Sequence, residues 1–227
     1  MATDTVNLQA LVEQDSVGAT GEGSYRPVKS NKMGFQIVTD FYTQMAIEGR
    51  CYQVRAGTVA TGLAADSTLT DTAAQMCVDA PLGTTIIPVE IGLAMLDVAT
   101  GTNLQAALKA VGAASTVGTA FVPLPLLQGG AASLSTARAM TDGGVTVPAE
   151  VVTTTRRLWE FVALQTQSAT VLAVGALGTI AAAAWRPLVP YIGVGVACVY
   201  LQVASTTAFT LHYGHLNYIE LPTTAVS

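Results

Sequence analysis

Two long stretches of this chain carry no charged residue. No Asp, Glu, Lys or Arg lies between Glu160 and Arg186, and none lies between Arg186 and Glu220. Such stretches are buried either in a bilayer or in a protein core. Polar Gln and Thr residues interrupt the first stretch, Pro187 and Pro190 break the second, and neither offers roughly twenty clean apolar residues. Buried strands are therefore favoured, and a helical hairpin through a membrane is the less favoured alternative.

Short apolar runs separated by turn residues indicate an all-β chain. Residues 151–221 divide into four strands or strand pairs, and residues 84–98 alternate apolar and other side chains as a half-buried strand does. Residues 34–59 predict a first hairpin that turns at Glu48-Gly49-Arg50. Helices are expected only in connections, as a capped turn within residues 70–76 and a short helix over residues 104–111.

The charge content favours a subunit that associates with other proteins. Charged residues make up 11% of the chain, against roughly 25% in an average soluble protein, and the net charge is −5. A surface so poor in charge does little to oppose association. Residues 1–33 form no basic arm, so direct nucleic-acid binding is not favoured. The first residues lack the pattern of a signal peptide, which predicts synthesis and folding in a cytoplasm.

The residues that most often carry chemistry form no recognisable catalytic or metal-binding set. His212 and His215 lie three apart, a spacing that places them on opposite faces of a strand, and both are expected to be solvated or at an interface. Cys51, Cys77 and Cys198 include no CxxC pair, so they predict small buried side chains and neither a disulfide framework nor a zinc site. No GxSxG motif occurs. The sequence therefore predicts no enzyme and no cofactor.

Residues 185–222 combine a proline-rich entry, a strand, a small-residue loop and a final strand that ends in a tyrosine-apolar-acid run. These parts are, in order, Pro187 and Pro190, residues 196–203, residues 204–208 and residues 209–221, with Tyr218-Ile219-Glu220 near the end. In this order the segment resembles the closing strands of viral jelly-roll capsid proteins. Residues 83–96 are similar to the strand that follows the long first loop of those proteins. The likeness spans about half the chain. Many β-sandwich proteins of phage tails share the same order and composition of strands.

The resemblance implies a fold and a role. The fold is an all-β jelly-roll β-sandwich of two antiparallel sheets with Greek-key connections, and one or two short helices lie in its loops. Residues 1–33 would be an extended N-terminal arm, residues 34–222 the capsid domain and residues 223–227 a C-terminal tail. The role is that of a virion structural protein, a self-assembling icosahedral capsid subunit put together in the host cytoplasm.

The resemblance implies that the partners are other copies of the chain. Other capsid proteins and an internal membrane are further partners compatible with it. The alternative from another class is a receptor- or carbohydrate-binding β-sandwich of a phage tail or fibre. Exposed aromatic clusters would favour that alternative, but aromatic residues make up only 6% of the chain.

Two groups of residues are candidates for subunit contacts. Leu8, Leu11 and Val12 have the i, i+3, i+4 spacing of a short amphipathic turn that would dock across a subunit boundary. Arg156 and Arg157 are an adjacent basic pair, and on a strand one of them must face inward or toward a neighbour. Two outcomes remain open for this pair: both head groups solvated at a strand end, or a salt link to Glu160 or to an adjacent subunit.

Overall fold

A computed structural model of the chain describes residues 9–12, 24–27, 40–58, 60–66, 68–69, 72–97, 103–139, 144–164, 182–205 and 211–225. The elements of the N-terminal half are β1 Gln9–Val12, β2 Ser24–Pro27, α1 Phe41–Ile47, β3 Cys51–Ala56, β4 Leu63–Ala64, β5 Ala73–Ala74, β6 Met76–Ala80, β7 Thr84–Asp97 and β8 Asn103–Val111. Those that follow are β9 Thr119–Phe121, β10 Leu124–Pro125, β11 Thr136–Ala139, β12 Val145–Thr146, β13 Arg156–Leu164, β14 Ala182–Trp185, β15 Gly193–Val194, β16 Ala197–Ser205, β17 Leu211–Pro222 and a 3-10 helix Thr223–Ala225.

Two antiparallel sheets pack against each other, as the sequence predicts for an all-β sandwich. The front sheet has the order β10-β3-β17-β7-β14, with β15 also paired to β7 and β4 to β17. The back sheet has the order β13-β8-β16-β6-β11-β9. Buried side chains from both sheets, such as Val54 and Leu216 from the front and Leu108 and Val199 from the back, form one core cluster between them. Removing this apolar surface from water is the main stabilising contribution to such a fold.

A smaller layer covers the outer face of the back sheet. β5 and β12 pair with each other, and Ala74 and Val145 pack against Cys198 and Tyr200 in a second apolar cluster. Every residue of β16 is consequently buried, although only alternate residues face the core between the sheets. A strand covered on both faces reads as a continuous apolar run, which explains the uncharged sequence here.

β7 confirms the strand predicted over residues 84–98, but its alternation changes phase. Ile91, Leu93 and Met95 face the core on one parity, whereas Ile86 reaches the same core on the other. The cause is a register shift opposite Asn217 and Tyr218 of β17, where one extra residue of β7 bulges out. Sequence alternation alone therefore assigns only part of this strand to the correct face.

The helix predicted over residues 104–111 is wrong, because these residues form β8. Leu104, Ala106, Leu108 and Ala110 all belong to the core cluster, so the strand buries a strict period-two row. β8 pairs with both β13 and β16, and this pairing overrides the helical preference of its Ala, Leu, Lys and Gln residues. The capped turn predicted within residues 70–76 is also wrong where the structure describes it, since β5 occupies residues 73 and 74 and β6 begins at residue 76.

Within the described residues 40–58 of the first predicted hairpin, a helix is followed by a strand, and residues 34–39 lie outside the described residues. Asp40 caps α1 by accepting a hydrogen bond from the Thr43 N–H at 3.0 Å. Gly49, at φ 70°, ends the helix: its N–H donates to the Ala46 carbonyl, and the Arg50 N–H donates to the Met45 carbonyl. The turn at Gly49 is thus correctly located, but a helix enters it. Met45 packs on the outer face of the front sheet with Cys51 and other apolar side chains, which holds the helix in place.

At the two chain ends the described residues form short elements. β1 pairs antiparallel with β2, with Leu11 opposite Tyr25 and Val12 opposite Ser24. After β17 the Thr223 N–H donates to the Gly83 carbonyl at 2.9 Å, which ties the 3-10 helix to the turn before β7. None of the described helices has the length and apolar character required to cross a bilayer.

Candidate functional site

One apolar surface lies on the β14–β15 edge of the front sheet. We call it the β15-edge surface. Leu188 and Val189 are fully or nearly fully exposed at 103% and 83%, in the segment that joins the two strands. Leu82 is 84% exposed and lies beside Gly195, and Ile192 and Val194 are also exposed. Large apolar side chains gathered in this way, rather than scattered singly, mark interaction surfaces.

A second apolar surface extends from the opposite edge of the same sheet, where β10 is the outermost strand, onto α1 on the outer face. We call it the α1–β10 surface. Phe41 and Tyr42 of α1 stack edge to face with ring centroids 5.7 Å apart, and both are exposed. Leu124, Leu126 and Leu127 are exposed beside them, and Leu126 is anchored by the bond from its N–H to the Cys51 carbonyl. The front sheet therefore presents exposed apolar side chains at both of its edges.

A cleft of about 280 Å³ separates α1 from the outer face of the front sheet. Tyr42, Ala46 and Leu126 form part of its wall, and Glu90 and Asn217 supply polar groups. The Asn217 amide donates to Glu90 at 3.3 Å. The cleft is thus mainly apolar with a few polar groups, which is the usual make-up of a small-molecule pocket.

The arginine pair predicted as a subunit contact lies in β13, where Arg157 forms an ion-pair network. Arg157 Nε is 2.7 Å from Glu150, and its Nη1 is 2.8 Å from Glu160. The predicted salt link to Glu160 is therefore confirmed within the chain. A register shift between Arg157 and Trp159 makes it possible, because a bulge brings positions three apart to one side of a strand. The Arg156 side chain donates to the backbone carbonyl of Thr153 at 3.4 Å.

Glu150 resolves a like-charge conflict in the back sheet. Arg157 and the buried Lys109 are directly opposite each other in the β13–β8 register, an arrangement that is unfavourable by itself. The Glu150 carboxylate accepts from Lys109 Nζ at 2.5 Å as well as from Arg157. Its hydrogen bonds from Arg157 and then from Lys109 hold the pKa of Glu150 below its usual value. Glu150 consequently remains charged, and its single negative charge between the two cations offsets their repulsion.

Two cysteines and an aspartate meet on the outer face of the back sheet. Cys77 and Asp79 lie two apart on β6, and Cys198 of β16 is directly opposite Asp79. The Sγ atoms and a carboxylate oxygen of this set all lie within 4.8 Å of one another. The hydrogen bond with Cys77, followed by burial, raises the pKa of Cys198. We call these three residues the Cys-Asp cluster.

The loop after β8 completes this cluster. The Ser115 hydroxyl donates to Asp79 Oδ2 at 2.5 Å and accepts from the Cys77 thiol at 3.1 Å. The Ser115 N–H donates to Asp79 Oδ1 at 2.8 Å. Arg138 Nε lies 3.5 Å from Asp79 Oδ2 but has no hydrogen-bond partner among the described residues. The buried carboxylate is thus compensated by a neighbouring cation and by Ser115.

A second buried carboxylate, Glu220 of β17, connects the two sheets at one end of the sandwich. It accepts from the hydroxyls of Ser133 and Ser135 at 2.6 and 2.7 Å and from the N–H groups of Leu134 and Ser135 at 2.9 and 3.1 Å. Ser133 also bonds the Tyr218 hydroxyl at 2.9 Å, and burial is the main cause that raises the pKa of Tyr218. From the sequence, Glu220 was placed only at the end of the tyrosine-apolar-acid run, and no bonding role was predicted for it.

The two histidines lie in β17, and the prediction that both are solvated or at an interface fails for His212. This side chain is 1% exposed, and desolvation lowers its pKa from 6.5 to about 4. Its ring nitrogens have no hydrogen-bond partner among the described residues. His215 instead lies over Gly92, so closely that a Cβ atom there would be 2.3 Å from its ring. The three-residue spacing indeed separates the histidines, because β17 is a strand.

The predicted apolar turn of the arm is not present as such. Leu8 lies outside the described residues, and Leu11 and Val12 are part of strand β1. A strand backbone does not produce the common i, i+3, i+4 face of a helical turn, so the predicted amphipathic turn is wrong for the part that is described. Contacts of Leu8, Leu11, Val12, Arg156 and Arg157 with another subunit remain a prediction.

Neither a protein family, a curated protein nor a solved structure matches this chain. The site residues that the sequence analysis missed are Asp79, Ser115, Glu150 and Glu220. A Cys-x-Asp pair on a period-two strand was the available signal for the Cys-Asp cluster, but its partner Cys198 lies more than a hundred residues away. Only strand pairing brings these side chains together.

Proposed function

We propose that this chain is a structural subunit that assembles with copies of itself into an icosahedral capsid. The observation that carries the proposal is the presence of exposed apolar surfaces at both edges of the front sheet. Contact of these apolar side chains with water is unfavourable, so each surface favours association with another molecule. The low charge content of the chain adds little repulsion to oppose it.

Two separate surfaces suit a shell better than a simple dimer. A dimer with twofold symmetry needs a single self-complementary patch, whereas rings and larger assemblies require different patches that meet head to tail. The β15-edge surface and the α1–β10 surface are of different composition, since the first is aliphatic and the second includes Phe41 and Tyr42. We infer that the first surface of one copy packs against the second surface of the next.

The two-sheet antiparallel sandwich supports the jelly-roll form of this proposal, together with the resemblance of residues 185–222 to capsid proteins. The place of the protein is then the virion, with assembly in the host cytoplasm. Its partners are other copies, and the proposal extends to other capsid proteins and to an internal membrane beneath the shell. Genome binding is not part of it, because the net charge is −5.

The proposal is tested by assembly of the purified protein, followed by size-exclusion chromatography and negative-stain electron microscopy. Leu188→Asp and Leu126→Asp each place a charge on one surface, and both should yield folded protein that stops at small oligomers. Val152→Asp is the matched control, because Val152 is 92% exposed outside the two surfaces. We expect the control to form shells. A wild-type protein that stays monomeric under all conditions, or a control as defective as the two variants, contradicts the proposal.

The cleft beside α1 favours the second candidate, a receptor- or carbohydrate-binding sandwich of a phage tail or fibre. Aromatic faces such as that of Tyr42, next to hydrogen-bonding groups such as Glu90 and Asn217, suit a sugar ring. Saturable binding on a glycan array, lost in Tyr42→Ala and kept in Tyr213→Ala, would favour this role over the capsid role. Binding of no glycan, together with shells in the assembly assay, would leave the capsid proposal in place.

A further inference from the structure

The Cys-Asp cluster has the ligand types and the placement of a small metal site. Cys77 and Asp79 project from the same face of β6, and Cys198 projects beside them from β16. All three are buried, with the two cysteines at 0% and Asp79 at 8% exposure. We propose that Cys77, Cys198 and Asp79 bind one zinc ion, which fastens β6 and β16 to the loop that carries Ser115.

The distances suit a tetrahedral zinc site. Zinc binds thiolate sulfur at about 2.3 Å and carboxylate oxygen at about 2.0 Å, so neighbouring ligand atoms lie about 3.5 to 3.8 Å apart. Cys77 Sγ lies 3.9 Å from Asp79 Oδ2, and the three ligand atoms lie within 4.8 Å of one another. A contraction of less than about 1 Å gives zinc geometry. Soft thiolates select zinc over magnesium or calcium, which prefer sites made of oxygen alone.

A disulfide does not explain the proximity of the two cysteines equally well. Cys77 is directly opposite Tyr200, so Cys77 and Cys198 are diagonal neighbours across the strand pair. Diagonal positions lie about 7 to 8 Å apart, whereas disulfides require Cα atoms within about 7 Å. A metal ion bridges this longer separation because two metal–sulfur bonds, instead of one shorter S–S bond, then connect the sulfur atoms.

Charge and ligand number are also balanced. Zinc displaces the two thiol protons to solvent, which leaves two thiolates and one carboxylate around a divalent cation. Arg138, 3.5 Å from Asp79 and without another partner for its Nε among the described residues, supplies the remaining positive charge. The Ser115 hydroxyl contacts both Cys77 and Asp79, so it is the group in position to provide a fourth ligand. The buried site is then neutral, which minimises its desolvation cost.

The experiment uses the full chain, stripped of metal under reducing conditions and titrated with Co²⁺ and then with Zn²⁺. Co²⁺ reports thiolate ligation through a sulfur-to-cobalt charge-transfer absorption, and Zn²⁺ should abolish this band at one equivalent. We expect two protons to be released per zinc and the melting temperature of the wild-type protein to rise with zinc. Cys198→Ser should bind at least ten-fold more weakly. Cys51→Ser is the matched control, because Cys51 is buried in a different cluster, and it should bind as the wild type does.

The wild-type titration alone decides the proposal if the variants fold poorly. Absence of the charge-transfer band, or a zinc-independent melting temperature, overturns the site. A loss of binding in Cys51→Ser as large as that in Cys198→Ser also overturns it, since ligation would then be nonspecific. A further variant, Asp79→Asn, should weaken binding while the sulfur-to-cobalt band remains. These outcomes do not depend on whether the chain forms shells.

Discussion

Acidification should weaken this fold through His212. The imidazole is buried without a hydrogen-bond partner among the described residues, and desolvation lowers its pKa to about 4, whereas an unfolded chain returns it to 6.5. Above pH 6.5 neither state holds the extra proton, so the stability is intact. As the pH falls from 6.5 to 4, His212 binds a proton in the unfolded state but stays neutral in the folded state. The free energy of unfolding therefore decreases. At 1.36 kcal/mol per pH unit the loss amounts to about 3 kcal/mol.

The measurement is urea unfolding at several pH values between 7 and 4, at protein concentrations below the onset of assembly. Acidic groups titrate in the same range, so the informative quantity is the difference between the wild type and His212→Leu. This variant replaces the buried imidazole by an apolar side chain and removes its proton. We expect the free-energy difference between the two proteins to change by about 3 kcal/mol in favour of the variant between pH 7 and pH 4.

His215→Gln provides the control, since His215 lies on the other face of β17 over Gly92. Its unfolding free energy should follow that of the wild type at every pH. If the wild type and His212→Leu lose stability in parallel from pH 7 to pH 4, His212 does not carry the effect, and the reasoning from its burial is wrong.

Two further predictions concern the buried carboxylate of Glu220 and the half-buried carboxylate of Glu150. Glu220→Gln keeps the size of the side chain but turns an amide N–H toward hydroxyl and N–H groups that now donate to the carboxylate. It should therefore reduce the unfolding free energy by about 3 kcal/mol. Glu48→Gln, at an exposed position, should change the unfolding free energy by less than about 0.5 kcal/mol. Glu150→Gln leaves the buried Lys109 without a full counter-charge and should cost about 3 to 5 kcal/mol in urea unfolding at pH 7, while Glu160→Gln, at the exposed end of the same network, should cost less than about 1 kcal/mol. Equal effects within either pair would show that burial does not set these energies.

Local pattern was sufficient for some of the strands and for the all-β class of the fold. Residues 197–205 and 211–222 alternate or run continuously apolar between turn residues, and β16 and β17 occupy them. The strand over residues 84–98 was likewise correct, because its period of two is a property of neighbours in sequence. The missing charges correctly indicated burial in β16, whereas Leu188 and Val189 of the same uncharged stretch are exposed, and residues 165–181 of the other stretch lie outside the described residues.

Long-range contacts decided what local pattern could not. β8 has the composition of a helix, yet β13 and β16 flank it and bury its alternate residues, so pairing outweighed propensity. Conversely, residues 41–47 contain Phe, Tyr and Thr, but the cap at Asp40, the left-handed turn at Gly49 and burial of Met45 make them helical.

The candidate sites depend on contacts between distant segments to a still greater degree. Cys77 and Cys198 were each correctly expected to be buried, but their meeting with Asp79 follows from the β6–β16 register. The ion pair between Arg157 and Glu160 was anticipated from sequence, whereas the bulge that makes it possible and the role of Glu150 were not. The sequence by itself determined the all-β class, the strands β7, β16 and β17 and the burial of the three cysteines, because those follow from side chains and their immediate neighbours. Only the tertiary structure decided which buried groups face one another, because register and bulges depend on strands far apart in the chain.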